Sequence, residues 1–275
     1  MSELTGLDDT SRVWVPGPLT STMSLFAVVH AGSAGATRVD DVTEATHAVL
    51  TPAQLSRLVA AGPVPPVTVV VAGDRLVPAL HDRCVGAGLT VHHYYGAAEL
   101  SFVAWGPHAD ALRPFPGVEV ANEDGVLWVR SPFLCEGYDG PPGPFERRPD
   151  GFATVGDVGE VLDGLVVVRG RPEAVTTGGA TVRVADVEAE LAGVALGEVV
   201  VLGVPHAGLG SVLAAVLTRT EDLEAVRERA GSALTATARP RLWLACPDLP
   251  LTGPGKVDRA ALREAAADGG LRRLI

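Results

Sequence analysis

Lysine is nearly missing from this chain of 275 residues: of its 22 basic residues only Lys256 is a lysine, and the rest are arginines. Clusters of basic residues are missing too, and the formal net charge is −11. The negative net charge and the absence of basic clusters argue against binding to nucleic acid or to an anionic membrane surface. Aromatic residues are scarce at 5%, yet hydrophobic residues reach 47%, which is enough for one large or two modest domains.

Cysteines and long apolar runs are also few. Cys84, Cys135 and Cys246 are an odd number without paired spacing, which indicates buried free thiols rather than disulfides or a zinc site. The longest uncharged apolar stretch, about 22–37, is shorter than the ~20 residues that span a bilayer. The acidic N-terminus has no signal-peptide pattern. We therefore expect a cytoplasmic protein with no membrane partner, whose ligands are small molecules or another protein.

One stretch of the chain predicts a β-α-β unit. Residues 67–72 are a short β-branched run of the kind found in strands that are covered on both faces. Residues 78–86 have helical composition, and 89–95 predict the next strand. The carboxyl ends of two such strands lie side by side at the edge where open α/β sheets bind ligands. We therefore expect Gly73 and Gly96 to lie together at that edge.

The predicted secondary structure changes in type twice along the chain. From about 118 to 170, short strands alternate with Asp-Gly turns and indicate a β-rich subdomain. Beyond it, alternating helices and strands predict a compact α+β unit of about a hundred residues. We therefore divide the chain into a large α/β domain at 1–171, which includes the β-rich part, and a small α+β domain at 172–275 that carries Lys256.

Two segments of the large domain carry candidate ligand-binding groups. In Tyr94-Tyr95-Gly96-Ala97-Ala98-Glu99, Tyr95 is suited to stacking on a flat base and Gly96 to close approach of the backbone to a ligand. The carboxylate of Glu99 is a hard oxygen ligand for a divalent cation. In Val155-Gly156-Asp157, we expect a turn that exposes the Asp157 carboxylate for gripping vicinal hydroxyls.

Two further segments belong to the domain boundary and the small domain. Arg169-Gly-Arg171-Pro-Glu173 is followed closely by Thr177-Gly178-Gly179-Ala180. The last segment, Pro250-Leu-Thr-Gly-Pro-Gly-Lys256-Val-Asp-Arg259, sets the lysine among glycines. An ammonium is a compact charge on a flexible stem, able to follow a carboxylate or phosphoester oxygen into a narrow site, whereas a guanidinium is a planar fork.

In this order and at these separations, the four segments resemble the adenylate-forming (acyl-CoA synthetase, AMP-binding) superfamily, and most closely the short actinobacterial o-succinylbenzoate-CoA ligases. The resemblance runs from about 13 to 262. It implies the remnant of a large α/β N-terminal domain, followed by a small mobile α+β domain. It also implies a two-step reaction: a small carboxylic acid attacks the α-phosphate of ATP to give an acyl-adenylate, and the thiol of CoA or of a carrier protein's phosphopantetheine displaces AMP.

The resemblance also implies a role for each residue that matches a motif. The adenine would be framed by Ala72, Gly73, Tyr95 and Gly96, and the ribose would be bound by Asp157 and Arg171. Glu99 would help to hold Mg²⁺, and Lys256 would bridge the carboxylate and the phosphate during catalysis. Glu173 would be the hinge of the small domain, and the pantetheine arm would approach Gly178 and Gly179.

Each of these roles competes with a purely structural explanation. Asp157 would then be an ordinary turn residue, Glu99 a solvated carboxylate at a helix start, Arg171 the partner of a surface acid, and Gly178-Gly179 a hairpin turn. His92 and His93 are neighbours in a strand and point to opposite faces, so we interpret both as structural or pocket-lining.

The chain departs from the family pattern in ways that leave three hypotheses open. The family has a Ser/Thr/Gly-rich loop that ends in a lysine and cradles the ATP phosphates, but Lys256 is the single lysine here. We therefore expect an N-terminally truncated member, in which Ala98 replaces a phosphate-binding Thr or Ser and Val155 a Thr. It would be a minimal acid-thiol ligase, an acyl-transfer or partner-dependent half-enzyme, or a non-catalytic binding homologue. A truncated large domain would expose an apolar face, so we expect a homodimer or a partner chain.

Overall fold

The computed structural model describes residues 2–140, 143–170, 173–177, 180–206 and 210–275. It divides into two compact units. The larger comprises Met1–Arg171 together with the segment Gly253–Lys256, and the smaller comprises Pro172–Thr252 and Val257–Ile275. The sequence places Lys256 in the small domain, whereas its contacts group it with the larger unit.

The first sheet of the larger unit is mostly parallel. Its strands are β1 (Arg12–Trp14), β2 (Thr37–Val39), β3 (His47–Leu50), β4 (Thr68–Val71), β5 (Thr90–Ala97), β6 (Ser101–Gly106) and β7 (Arg113–Pro114). They lie in the order β2-β1-β3-β4-β5-β6-β7. The pairs from β2 to β5 are parallel, and β6 and β7 are added antiparallel. The helices of this region are α1 (Ser2–Thr5), α2 (Thr22–Ser33), α3 (Pro52–Ala60) and α4 (Pro78–Gly86).

The β-α-β unit predicted from the sequence is present. The apolar run of β4 has Val69, Val70 and Val71 all buried, as expected for a strand that is covered on both faces. The helix predicted at 78–86 is α4 with the same bounds, and β4 and β5 begin and end within two residues of their predicted limits.

Helix α2 has no counterpart in the sequence prediction. Its residues include no Asp, Glu, Lys or Arg. Ala27 and Ala31 are buried, but Leu25 and Val29 on another side of the helix are exposed. Because apolar residues occupy several sides, the segment lacks the one-faced pattern that identifies an amphipathic helix.

The second sheet of the larger unit is antiparallel. Its strands are β8 (Glu119–Glu123), β9 (Val126–Arg130), β10 (Glu146–Arg147), β11 (Ala153–Thr154), β12 (Val158–Leu162) and β13 (Leu165–Gly170). They lie in the order β10-β11-β9-β12-β13, with β8 also paired to β9. The turns Asp124-Gly125 and Asp163-Gly164 have positive φ at both residues, which is the type I′ hairpin geometry that Asp-Gly pairs favour.

The smaller unit packs helices against a mixed sheet. Its elements are β14 (Ala174–Thr177), β15 (Ala180–Arg183), α5 (Val184–Ala192), β16 (Val199–His206), β17 (Gly210–Leu217), α6 (Leu223–Ala233), β18 (Leu242–Ala245), α7 (Arg259–Ala267) and β19 (Arg272–Arg273). The strands lie in the order β15-β14-β17-β18-β19, with β16 on β17. The predicted α+β pattern is confirmed. None of the helices in the described ranges has the length and apolarity needed to cross a bilayer.

Candidate active site

The ends of β4 and β5 lie next to each other, as the sequence predicts. The two strands pair in parallel with Val71 opposite His93. Ala72 and Gly73 therefore leave the sheet at the edge that Gly96 approaches at the end of β5. In a parallel sheet this carboxyl edge is where ligands bind.

The side chain of Lys256 lies next to Gly73 at that edge. The φ of Gly73, +87°, is in the region that disfavours a side chain. A Cβ built at Gly73 would lie 3.6 Å from Cε of Lys256, 3.7 Å from Cγ2 of Thr51 and 3.8 Å from Sδ of Met23. An anionic oxygen at this edge would therefore lie near the Lys256 ammonium, which attracts it.

A hydrogen bond holds the lysine segment in place within the larger unit. The Thr51 hydroxyl donates to the carbonyl of Gly255 over 2.7 Å. Gly255 itself is buried with φ +85°, and a Cβ there would lie 2.8 Å from Nε2 of Gln54. Thr51 and Gln54 also form the capping box that starts α3. The same two side chains thus begin a helix and seat the backbone next to Lys256.

Asp157 is buried rather than exposed, which corrects the expectation for its turn. Only 8% of the residue is accessible. The Tyr95 hydroxyl donates to its Oδ2 over 3.0 Å, and the backbone N–H of Leu127 donates to its carbonyl over 2.8 Å. The carboxylate is therefore fixed in orientation by a neighbour 62 residues earlier in the chain.

The ring of Tyr95 packs in the apolar core instead of presenting a face for stacking, contrary to the sequence expectation. It is 7% accessible and belongs to the cluster that includes Leu100, Leu112 and Leu127. The reason is the alternation of the strand: every second residue of β5 points inward. Its hydroxyl, rather than a face of its ring, is the group that Tyr95 directs to another candidate residue, Asp157.

Gly96 is required by close packing of the backbone. A Cβ at this position would lie 2.2 Å from the carbonyl oxygen of Ser101, a distance no side chain tolerates. The pairing of β5 and β6 shifts register between Tyr95 and Gly96, and Ser101 has φ +59°. This explains the glycine without a ligand and sets the path of the turn that carries Glu99.

Glu99 lies in the turn between β5 and β6, so the alternative of a helix-start carboxylate is wrong. The Tyr138 hydroxyl donates to its Oε1 over 2.8 Å, and the N–H of Cys135 donates to its carbonyl over 2.9 Å. Glu99 is half-buried. A later loop of the chain thus holds both its side chain and its backbone.

The surroundings of Glu99 fit a cation that is held mainly by substrate phosphates and water rather than by protein side chains. Among the described residues no group of three or more His, Cys, Asp or Glu side chains is placed to hold a metal ion. Mg²⁺ is commonly bound by one or two carboxylates, with substrate phosphates and water completing its octahedron. A single carboxylate such as Glu99 suits that mode and does not suit a cage made wholly of protein ligands.

The remaining candidates lie at the start of the smaller unit. Arg171, Gly178 and Gly179 are outside the described residues. The strands on either side of the glycine pair, β14 and β15, pair antiparallel with Thr177 opposite Ala180. Glu173 accepts a hydrogen bond at its carbonyl from Val184 over 2.8 Å.

The Glu173 carboxylate contacts helix α7. It forms an ion pair with Arg263 and lies 3.8 Å from a guanidinium nitrogen of Arg259. The expected hinge residue is therefore tied to the helix that begins three residues after Lys256.

The neighbouring histidines point to opposite faces of β5, as predicted from their place in the strand. His93 is 3% accessible, and its Nδ1 donates to the carbonyl of Val71 over 3.0 Å. Burial lowers the pKa of His93 to about 4. His92, on the opposite face, is half-buried, and burial lowers its pKa as well.

Sequence reasoning missed four residues that shape the site: Met23, Thr51, Gln54 and Tyr138. The string Thr51-Pro-Ala-Gln54 directly after the apolar run of β3 is a capping-box signal at the end of a strand, and it would have located Thr51. Tyr138 gives no such signal, since it lies 39 residues from Glu99.

Solved structures share this fold. A variant of Escherichia coli MenE with bound OSB-AMS superposes with a TM-score of 0.82 at 24% identity, covering 98% of this chain and 63% of that one. ATP-bound MatB from Rhodopseudomonas palustris superposes with a TM-score of 0.78 at 23% identity, covering 97% and 62%. The architecture is therefore that of the adenylate-forming enzymes.

Sequence comparison points to the same group. A probable 2-succinylbenzoate–CoA ligase of Mycobacterium tuberculosis is 33% identical over 205 residues, which is 70% of this chain and 52% of the relative. The chain belongs to the adenylate-forming acyl-CoA synthetase superfamily. It spans about half the length of the curated relatives it matches. No family model matches the chain.

Proposed function

We propose that this chain performs acid-thiol ligation. In the first step a carboxylate oxygen bonds to the α-phosphorus of ATP, and pyrophosphate leaves to give an acyl-adenylate. In the second step the sulfur of a thiol bonds to the acyl carbon, AMP leaves and the thiol proton is released. The acceptor is CoA or the phosphopantetheine of a carrier protein.

The position of Lys256 is the observation that carries this proposal. Its Cε lies against Gly73 at the carboxyl edge of β4, and Thr51 anchors the preceding residue, Gly255. When the carboxylate attacks the phosphate, negative charge collects on oxygens between the two groups. An ammonium fixed beside them stabilises the transition state, and a positioned charge of this kind contributes several kcal/mol.

The other matched residues would bind the nucleotide. Ala72 and Gly73 after β4, with the backbone of Tyr95-Gly96 after β5, would frame the adenine, and Asp157 and Arg171 would hold the ribose hydroxyls. The hydrogen bond from Tyr95 supports this role for Asp157 because it fixes the direction of the carboxylate. Glu99 would hold Mg²⁺, which when bound neutralises charge on the phosphates.

The second step would involve the smaller unit. Glu173 would be the hinge about which this unit turns between the two reactions, a gating motion rather than a chemical step. Gly178 and Gly179 would line the approach of the pantetheine arm. The ion pair of Glu173 with Arg263 supports this role because it links the hinge to α7.

We propose a small aryl acid as the substrate. Met23, which faces Gly73, is in the first turn of α2, and the next turn brings Phe26 to 5.7 Å from the ring of Phe102. An apolar, aromatic surface therefore begins beside the edge where the carboxylate would meet Lys256. The name of the mycobacterial relative, a 2-succinylbenzoate–CoA ligase, supports the same class.

A second candidate is the partner-dependent form of the same reaction, as a homodimer or with another chain. The specific observation is that Lys256 is the single lysine in the 275 residues, so these residues contain no lysine-ended phosphate loop. A separate polypeptide would then supply that loop. Co-purification of a chain with a Gly-rich, lysine-ended loop would favour this form.

The test is acid-dependent release of pyrophosphate from ATP, with a panel of aryl, branched and linear acids. We expect release with an aryl acid, acyl-AMP and the thioester visible by mass spectrometry, and loss of both in Lys256→Ala. Lys256→Arg is the matched control because it keeps the positive charge. We expect it to retain little activity, since a planar guanidinium does not replace the compact ammonium.

Three results would separate the hypotheses. Release only after a co-purifying chain is added supports the partner-dependent form. Turnover of a synthetic acyl-adenylate with CoA, without any use of ATP, would reduce the proposal to acyl transfer. A wild-type protein that does none of these, alone or with its neighbouring gene products, would show that it is a binding homologue.

A further inference from the structure

The loop after β9 is fastened to Glu99 at two points. Tyr138 in this loop donates its hydroxyl proton to Oε1 of Glu99 over 2.8 Å. Three residues earlier, the N–H of Cys135 donates to the Glu99 carbonyl over 2.9 Å. The carboxylate and the peptide group of one residue are therefore both held by a segment 36 to 39 residues further along the chain.

The Tyr138 hydroxyl is itself held in place. It accepts a hydrogen bond from the backbone N–H of Phe145 over 3.2 Å. That bond takes one lone pair of the phenol oxygen and leaves its proton directed to Glu99.

This network uses one oxygen of the Glu99 carboxylate. Within the described ranges Oε1 accepts the Tyr138 hydroxyl, and no hydrogen bond is made to Oε2. A carboxylate that binds a cation is typically hydrogen-bonded by an outer partner, which fixes its direction and tunes its basicity. The arrangement matches that pattern.

We propose that Tyr138 is a positioning residue for a divalent cation at Glu99: its hydroxyl holds Oε1, so that Oε2 is the oxygen that meets a cation bound to the substrate phosphates. The inference rests on the proposed function, since it takes Glu99 as the cation ligand. Tyr138 would contact neither the nucleotide nor the acid. It acts through Glu99 alone.

The first variant is Tyr138→Phe in the full chain, which removes the hydroxyl and keeps the ring. Loss of a hydrogen bond to a metal-ligating carboxylate lowers metal affinity by roughly 10–100-fold. We expect about tenfold weaker binding of Mn²⁺ in the presence of a non-hydrolysable ATP analogue, measured by the electron paramagnetic resonance signal of free Mn²⁺. Ser131→Ala is the matched control, because its hydroxyl accepts the Phe133 N–H in the same loop without touching Glu99.

A double-mutant cycle shows whether Tyr138 acts through Glu99. Glu99→Gln is expected to weaken Mn²⁺ binding at least as much as Tyr138→Phe, and adding Tyr138→Phe to it is expected to change nothing further. In turnover, the Mg²⁺ concentration for half-maximal rate should rise about tenfold in Tyr138→Phe, while the rate at saturating Mg²⁺ stays close to wild type.

Several outcomes would overturn the inference. Wild-type Mn²⁺ affinity in Tyr138→Phe, an equal loss in Ser131→Ala, or losses that add in the double variant would each show that Tyr138 does not position Glu99. If these occur while wild type still releases pyrophosphate, the proposed function stands and this inference alone fails. If wild type neither releases pyrophosphate nor binds Mn²⁺ beyond the analogue by itself, both fail together.

Discussion

The sheet edge in the larger unit and the ion-pair cluster in the smaller unit fix their polar groups in different ways. At the edge, hydrogen bonds from neutral donors hold two buried polar groups: Tyr95 donates to Asp157, and His93 donates to the Val71 carbonyl. The backbone beside Lys256 depends on two glycines with positive φ, Gly73 and Gly255.

The cluster in the smaller unit uses full charges. Arg259 lies 2.8 Å from both carboxylate oxygens of Glu188 and donates to the Val201 carbonyl over 3.2 Å. Glu188 also accepts the Val201 N–H over 2.7 Å. The planar guanidinium suits such multiple bonding.

The two regions also differ in the basic side chain that each one uses. In the smaller unit, the planar guanidinium of Arg259 bonds to the Glu188 carboxylate and to the Val201 carbonyl at once. At the sheet edge the basic side chain is a lysine, whose Cε lies 3.6 Å from the position of a Cβ built at Gly73. Three predictions test this contrast, from the largest effect to the smallest.

Gly255→Ala should remove most of the activity while the fold survives. The new Cβ would lie 2.8 Å from Gln54 in a backbone with φ +85°, so the segment must shift and carry Lys256 with it. A displacement of about 1 Å at a reacting group costs roughly a hundredfold in rate. The measurement is pyrophosphate release beside the melting temperature.

The matched control for that change is Gly117→Ala. Gly117 has φ +78° but no atom within 4 Å of a built Cβ, so it carries the same backbone strain, about 1–2 kcal/mol, without a neighbour. Equal loss of activity in the two variants would show that strain, rather than the seating of Lys256, sets the rate.

The larger unit should lose stability in mild acid because of His93. The pKa of His93 is about 4 in the folded chain, below the ordinary value near 6.5. The unfolded chain therefore binds the proton first, so this stabilisation is complete above about pH 6.5 and falls as the pH drops towards 4, by up to about 3 kcal/mol. Chemical unfolding across this pH range measures the effect.

His93→Asn is expected to flatten that pH dependence. A slope that persists in His93→Asn would assign the acid sensitivity to other groups. Direct titration of the ring by NMR gives an independent check.

Arg259→Ala should destabilise the smaller unit by about 2 kcal/mol, because it removes the cation that lies 2.8 Å from a mostly buried carboxylate, Glu188. Arg183→Ala removes an exposed pair with Asp186 and should cost less than about 1 kcal/mol. Denaturant unfolding of both variants compares the two. Similar losses would contradict the view that burial gives the Arg259 pair its value.

Sequence reasoning succeeded where a signal is local. The apolar run of β4 and the composition of α4 identify their elements with little error, because burial on both faces and helix composition are written in consecutive residues. It failed at α2, whose apolar residues occupy more than one side, and it gave Asp157 an exposed turn that the packing of Tyr95 closes.

By itself the sequence determined the β4-α4-β5 unit, the α+β pattern of the smaller unit, the family, and the single lysine among arginines on which the proposed function rests. Only the tertiary structure decided which groups meet: Thr51 with Gly255, Tyr95 with Asp157, and Tyr138 with Glu99. These partners lie 39 to 204 residues apart. No local pattern encodes such distances, because they result from strand pairing and burial acting on the whole chain at once.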